Sequence, residues 1–89
     1  MFSPNETKVL KILGFKKMTI NQIKEKFYGK TEPLYANIYI AKLVRNIVHK
    51  CDRARENWTI AGEGKGCTGK TVWIKESQYG SKNNLNKRN

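Results

Sequence analysis

The chain has 89 residues, 18 of them Lys or Arg and 7 of them Asp or Glu, which gives a formal net charge of +11. A chain of this length buries a single modest core, so a large active site and a second folded domain are excluded. The positive charge repels basic proteins and attracts polyanions, which favours nucleic acid as the partner. The alternatives are a basic protein made soluble by its charge and a ribosome-associated protein.

Neither a membrane span nor a secretory signal is visible in the sequence, because its apolar runs extend over only a few residues. We therefore expect a cytoplasmic protein, or one of the host cytoplasm or nucleus if the source is a virus. Cys51 and Cys67 should be reduced in such a compartment, and with His49 they supply too few ligands for structural zinc. The sequence predicts no metal and no cofactor.

The first predicted helix begins with a capping box. Ser3 is the N-cap, Pro4 takes the first helical position, and Glu6 lies three residues after the cap, from where its side chain reaches back. Gly14 supplies the C-terminal stop. The apolar side chains between these signals predict a core-forming helix and are Val9, Leu10, Ile12 and Leu13.

A second helix is predicted over about 20–27, after a brief strand within residues 15–18. Thr19 and Gln22 repeat the capping box. Residues 15–30 contain five Lys and one Glu, a net charge of +4, which makes this the most basic folded segment. Its predicted outward side chains include Asn21, Lys24 and Lys26.

The third and longest helix is predicted from Pro33 to Cys51, with Gly29 and Thr31 marking the turn before it. Its end is less sharply defined, because residues 50–53 can continue a helix. One face is an apolar stripe at helical spacing, formed by Ala36, Ile40, Leu43 and Ile47 and widened by Val44 and Val48.

The opposite face of the third helix contains no carboxylate. An ordinary solvated face mixes both signs of charge, whereas this one suits phosphates and base edges, so we interpret the segment as a recognition helix. Its outward side chains are Tyr35, Ile38, Ala41, Lys42, Arg45 and His49, with Asn46 at the edge.

A β-hairpin is predicted after a connector at residues 52–57. Its strands are Trp58–Ala61 and Thr71–Lys75, two runs rich in β-branched and aromatic residues that are separated by a glycine-rich loop. Lys65 and Lys70 lie in this loop, which suits a wing that contacts a DNA backbone or a minor groove.

The end of the sequence, residues 77–89, is rich in Asn and Lys and has almost no apolar content. Such a composition predicts a basic disordered tail. The folded domain is accordingly assigned to residues 1–76.

Residues 64–71 match G-x-x-x-x-G-K-[ST], the phosphate-binding loop of nucleotide hydrolases. That loop requires a helix after it, whose N–H groups and dipole converge on the phosphates. Here a strand pattern follows, and the remaining chain is too short for a parallel sheet. We therefore interpret the match as a hairpin tip. No catalytic constellation is visible elsewhere, so the sequence predicts no enzyme.

The order helix, strand, helix, helix and β-hairpin resembles the winged helix-turn-helix superfamily over about residues 3–76. Within it, residues 36–47 resemble the recognition helix of the OmpR/PhoB effector domains, and the hairpin ending in Val72-Trp73-Ile74 stands where that family has its wing. The resemblance implies an α+β fold with three helices and a C-terminal β-hairpin wing. It also implies docking of the third helix in the major groove. The receiver domain of that family has no counterpart here, so phosphorylation control is not implied.

This docking mode assigns a role to each candidate residue. Arg and Lys suit guanine, Asn suits adenine, and an apolar side chain suits the thymine methyl group. Base readout is assigned to Ile38, Lys42, Arg45 and Asn46, with Ala41 as an alternative thymine contact. Contacts with the DNA backbone are assigned to Lys16, Lys17, Thr19, Asn21, Lys24, Tyr35, Asn37 and His49, and wing contacts to Lys65 and Lys70.

The sequence thus predicts a small sequence-specific regulator that binds double-stranded DNA, either a repressor or an architectural factor of a virus, plasmid or other compact genome. One small domain reads few base pairs, so we expect a homodimer or cooperative binding to repeated sites. Two alternatives remain open. A protein-interaction module is favoured by the exposed Tyr35, Ile38 and Tyr39, and an RNA-binding module would present aromatic side chains on its sheet.

Overall fold

The computed structural model describes residues 2–65 and 69–79. Within these ranges the chain forms three α-helices and three β-strands, which make a mixed α+β domain. In chain order the elements are α1 (Pro4–Leu13), β1 (Met18–Thr19), α2 (Ile20–Tyr28), α3 (Ala36–Ala54), β2 (Trp58–Glu63) and β3 (Thr71–Glu76). In this part of the chain, none of the helices has the length and apolar character that crossing a membrane requires.

Both predicted capping boxes are confirmed. The Ser3 hydroxyl accepts the Glu6 N–H at 3.2 Å, and the Glu6 carboxylate accepts the Ser3 N–H at 2.9 Å. Thr19 and Gln22 make the same reciprocal pair at 3.1 and 2.9 Å. Each box satisfies N–H groups that a helix leaves without a backbone partner, which fixes where α1 and α2 begin.

The third helix begins later and ends later than predicted. It begins at Ala36 instead of Pro33, because the Pro33 carbonyl accepts the Ala36 N–H at 3.3 Å and closes a turn ahead of the helix. It continues to Ala54, so the first residues of the predicted connector are helical. Arg55 then ends the helix in the left-handed conformation, with φ 54°.

The three strands form an antiparallel sheet in the order β1-β3-β2. The predicted hairpin is confirmed by the pairing of β2 with β3, in which Ile60 faces Ile74 and Gly62 faces Val72. Both strands run one or two residues further than predicted. The brief strand predicted within 15–18 is shifted to Met18–Thr19, because only these two residues meet β3, where Met18 pairs with Val72.

The hydrophobic core lies where the three helices meet the sheet. The predicted stripe of α3 is confirmed, because its apolar side chains are buried against the other elements. Burial of each such side chain contributes about 1.5–3 kcal/mol before conformational entropy is subtracted. The side chains with almost no exposure are Val9, Leu13, Ile20, Ile23, Ile40, Ile47, Cys51 and Val72.

The folded part continues past β3 into the segment that was predicted to be a tail. Ser77 is buried, and its N–H donates to the Asn57 carbonyl at 3.0 Å. The Tyr79 hydroxyl donates to the Asp52 carboxylate at 3.4 Å. Residues 77–79 therefore belong to the folded domain, since they pair with the end of α3 and the start of β2. The rest of the predicted tail, residues 80–89, lies outside the described residues.

Candidate nucleic-acid interface

The face of α3 that is directed away from the core carries cationic and apolar side chains, as predicted. Lys42, Arg45 and His49 are exposed, and Asn46 is half-buried beside them. No Asp or Glu occurs between Ala36 and Cys51. The 3.6-residue repeat explains the arrangement, because the outward positions lie opposite the buried stripe on the same helix. We call the set Ile38, Lys42, Arg45 and His49 the outward stripe.

A groove of about 630 Å³ separates α3 from the β2-β3 hairpin, and we call it the α3-hairpin groove. Arg45 and His49 line its helix side, and Lys70 lines its hairpin side. The side chains between them are apolar or small, and none of the residues that line the groove is acidic. They include Ala41, Val44, Val48, Ile60, Ala61 and Gly62. Cations on two facing sides of an acid-free groove give it a positive potential.

The hairpin lysines Lys65 and Lys70 are both exposed, as expected of wing residues. The Lys70 carbonyl accepts the Ile20 N–H at 3.0 Å, which ties this end of the hairpin to the first residue of α2. Three residues of the nucleotide-loop motif, 66–68, lie outside the described residues. The motif is followed by strand β3, as predicted, so the helix that a phosphate-binding loop requires does not follow it.

Lys24 does not face solvent, and its predicted outward position is wrong. Its side chain is buried against the core side of α2, and its ammonium lies 3.0 Å from the Glu32 carboxylate. The pairing has a physical cause, because a lysine that loses water at the α2-α3 junction requires a compensating charge. Lys24 therefore joins α2 to the turn before α3 and leaves the set of backbone contacts.

Asn37 is also placed differently from its predicted role. Its amide nitrogen is buried and has no hydrogen-bond partner among the residues that the structure describes. Asn37 is half-buried, and with its amide nitrogen inaccessible the predicted backbone contact is not supported at this position. Its helical position explains the burial, because Asn37 adjoins the core residue Ala36 and lies one turn before Ile40.

Four of the other predicted backbone contacts lie on α2, on β1 or just before β1. The Thr19 hydroxyl is occupied in its cap, and the Asn21 amide donates to the Glu25 carboxylate at 3.3 Å. Lys16 and Lys17 are exposed, and the Lys17 ammonium lies 4.6 Å from the centroid of the Trp73 ring. None of these four residues lines the α3-hairpin groove, so the structure separates the predicted set into two groups.

An apolar patch precedes the outward stripe and continues into it. Leu34 is 87% exposed, Tyr35 68% and Ile38 56%, and all three lie in the turn before α3 or in its first turn. Leu34 was not singled out from the sequence, because it lies at the start of the predicted third helix but outside its apolar stripe, and so gives no periodic signal. Tyr39, at the edge of this patch, is held by its hydroxyl, which accepts the Asn5 amide at 2.7 Å.

The opposite side of α3 is fixed by a buried ion pair. The Lys50 ammonium lies 2.6 Å from the Glu6 carboxylate, which is almost completely buried. Burial alone would raise the pKa of Glu6, but the hydrogen bonds from Lys50 and Ser3 outweigh it and hold the pKa below its ordinary value of 4.5. The Glu6 side chain thus caps α1 and also neutralises the charge of Lys50 on α3.

Cys51 is unsuited to thiolate chemistry. Burial in the core, with a smaller contribution from Glu56, raises the pKa of the Cys51 thiol to about 11. The thiol is therefore protonated at neutral pH, and it packs as a small apolar group. Within the described residues, no cluster of three or more His, Cys, Asp or Glu side chains is placed to hold a metal ion.

Comparison of the chain with protein-family models, with curated proteins and with solved structures finds no match.

Proposed function

We propose that this protein is a winged-helix regulator that binds double-stranded DNA in a sequence-specific manner, with repression of transcription as its simplest role. The observation that carries the proposal is the α3-hairpin groove, where Arg45 and His49 face Lys70 with no lining carboxylate. Uncompensated cations on two elements suit a phosphate backbone, because binding them releases counterions from the duplex.

The orientation of α3 supports docking in the major groove. The major groove of B-DNA, about 12 Å wide, admits one α-helix, and side chains on the outward face of that helix reach the base edges. Lys42 and Arg45 are exposed there and suit guanine, whereas Asn46 suits adenine from its half-buried position at the edge. Ile38 offers an apolar surface to a thymine methyl group.

The element order supports the same assignment. The order helix, strand, helix, helix, strand, strand is the one expected of a winged helix, and β1 pairs with β3 beside the hairpin. In this arrangement the hairpin contacts the backbone or the minor groove next to the site of α3. Since one domain of this size reads few base pairs, we propose that it acts as a homodimer or binds cooperatively to repeated sites.

Selection of bound sequences from a random duplex library, at near-physiological salt, tests the proposal. We expect the wild type to enrich one motif and Arg45→Ala to lose that enrichment, because a good Arg contact discriminates by about 1–3 kcal/mol. Lys11→Ala is the matched control, since it removes one charge from the exposed side of α1 and leaves the groove intact. Equal retention of all sequences would contradict sequence-specific binding, and no retention would contradict DNA binding.

A second candidate function is favoured by the apolar patch at the start of α3. Leu34, Tyr35 and Ile38 present apolar surface that a protein partner would cover. The two functions differ in their response to salt, because phosphate contacts weaken steeply with ionic strength and apolar contacts do not. Binding to an acidic protein that persists in high salt would favour the interaction module over the regulator.

A further inference from the structure

Gly62 of β2 and Lys70 at the base of the hairpin are in close contact. A Cβ atom built at Gly62 would lie 2.5 Å from Lys70 Cε and 3.5 Å from Lys70 Nζ. The first distance is shorter than any real Cβ contact, so the Lys70 side chain occupies the space that a residue with a side chain would fill at position 62. Both residues line the α3-hairpin groove.

Backbone conformation does not explain the glycine. The left-handed glycines of the described residues are Gly14, Gly29 and Gly64, and Gly62 is not among them. Gly62 pairs with Val72 in the regular register of the hairpin, where a residue with a side chain is sterically allowed. What position 62 supplies is therefore the space for Lys70.

The location of that space determines where the Lys70 charge lies. Gly62 and Ile60 lie on the same face of the hairpin, and this face is directed toward α3. A side chain that crosses Gly62 therefore lies along the groove. Among the described residues, no carboxylate forms an ion pair with Lys70 within 4.0 Å. Lys70 is thus a hairpin cation that lies along the groove instead of extending from the loop tip.

We propose that Gly62 is a positioning residue: its missing side chain seats the Lys70 ammonium in the α3-hairpin groove, where it contacts a backbone phosphate of the bound duplex. This inference rests on the proposed function and adds to it the residue that positions the Lys70 contact. Arg45 approaches the groove from α3 and Lys70 from the residue before β3, so a DNA strand that lies between them is contacted from both sides. An uncharged side chain at position 62 displaces the end of the Lys70 side chain without altering the net charge.

The test is the salt dependence of binding to a short fluorescent duplex, measured by anisotropy for four variants. Loss of one phosphate contact lowers the slope of log affinity against log salt by about one. We expect this decrease for Lys70→Ala and equally for Gly62→Ala. The double variant should lose no more than Lys70→Ala alone, because both changes remove the same contact.

Gly69→Ala is the matched control in the same hairpin. Among the described residues its added Cβ meets the Lys65 carbonyl alone, at an ordinary 3.5 Å, so it should bind with the wild-type slope. Thermal unfolding should show that Gly62→Ala folds as the wild type does, since the atom that must move is the end of a flexible side chain.

A wild-type slope for Gly62→Ala, or additive losses in the double variant, would overturn the inference while the wild type still binds. Failure of the wild type to bind any duplex would instead refute the proposed function, and this contact with it.

Discussion

The two sides of α3 differ in whether their cationic side chains have a carboxylate partner. On the side that meets α1, Lys50 is paired with the buried Glu6 at 2.6 Å, and its ammonium also lies 5.9 Å from the centroid of the Phe2 ring. On the outward side, Lys42 and Arg45 are exposed, and the helix offers no acid between Ala36 and Cys51. The chain has few acids, and Glu6 is used to fix a helix contact instead of balancing the outward face.

This difference separates two kinds of cation in a chain with a net charge of +11. Lysines with a carboxylate partner, such as Lys50 and Lys24, join elements of the fold. Cations that line the α3-hairpin groove face solvent beside other cations, which destabilises the domain slightly through repulsion. Net charge alone does not distinguish the two kinds, whereas their positions do.

The largest expected effect comes from removing a core contact on the inner side of α3. Ile47 is fully buried, so Ile47→Ala should lower the free energy of unfolding by about 2–5 kcal/mol. The same change on the outer side, Ile38→Ala, should alter it by about 0.5 kcal/mol or less, because Ile38 is mostly exposed. Urea unfolding followed by tryptophan fluorescence measures both. Equal losses would show that the outward stripe is part of the packing.

A smaller effect is expected from neutralising Glu6. Glu6→Gln should lower the free energy of unfolding by about 1–3 kcal/mol at neutral pH, because Lys50 loses the charge that it faces. The effect should depend on pH. Since the pKa of Glu6 lies below its ordinary value of 4.5 in the folded protein, its contribution is present above pH 4.5 and is lost as pH falls through the folded pKa.

The pH dependence provides the control for this substitution. The wild type should lose stability below pH 4.5, and Glu6→Gln should show a shallower decline in the same window. Denaturant midpoints measured across acidic pH give both curves. Parallel curves would mean that Glu6 does not contribute to the acid sensitivity, and its charge would then add nothing to the stability of the folded state.

The smallest effect concerns the apolar part of the outward stripe. Replacing thymine by uracil in the selected motif removes only the C5-methyl group. We expect wild-type binding to weaken by about 0.8 kcal/mol, or about fourfold, for each methyl group that Ile38 contacts. Ile38→Ala should bind the two duplexes equally. Competition binding with matched duplexes measures the ratio. Equal binding by the wild type would assign Ile38 to a protein partner or to no contact at all.

Local signals in the sequence determined much of this protein. The capping boxes at Ser3 and Thr19 were predicted correctly because each cap and its partner are three residues apart and need no tertiary contact to pair. The buried stripe of α3 and the pairing of β2 with β3 followed from hydrophobic periodicity. The exposed positions of Lys42 and Arg45 followed from the same repeat, since they lie opposite the buried residues.

Only the tertiary structure decided what depends on distant neighbours. In the sequence, Lys24 cannot be distinguished from an outward helical lysine. Its burial depends on the turn after α2, which places Glu32 beside it. Ser77 reads as the start of a polar tail until its N–H meets the Asn57 carbonyl. Gly62 reads as a flexible residue near a loop until the hairpin register brings Lys70 across it. In each case the partner is fixed by a turn or a strand register, and these follow from packing of the whole chain, not from a pattern within one segment.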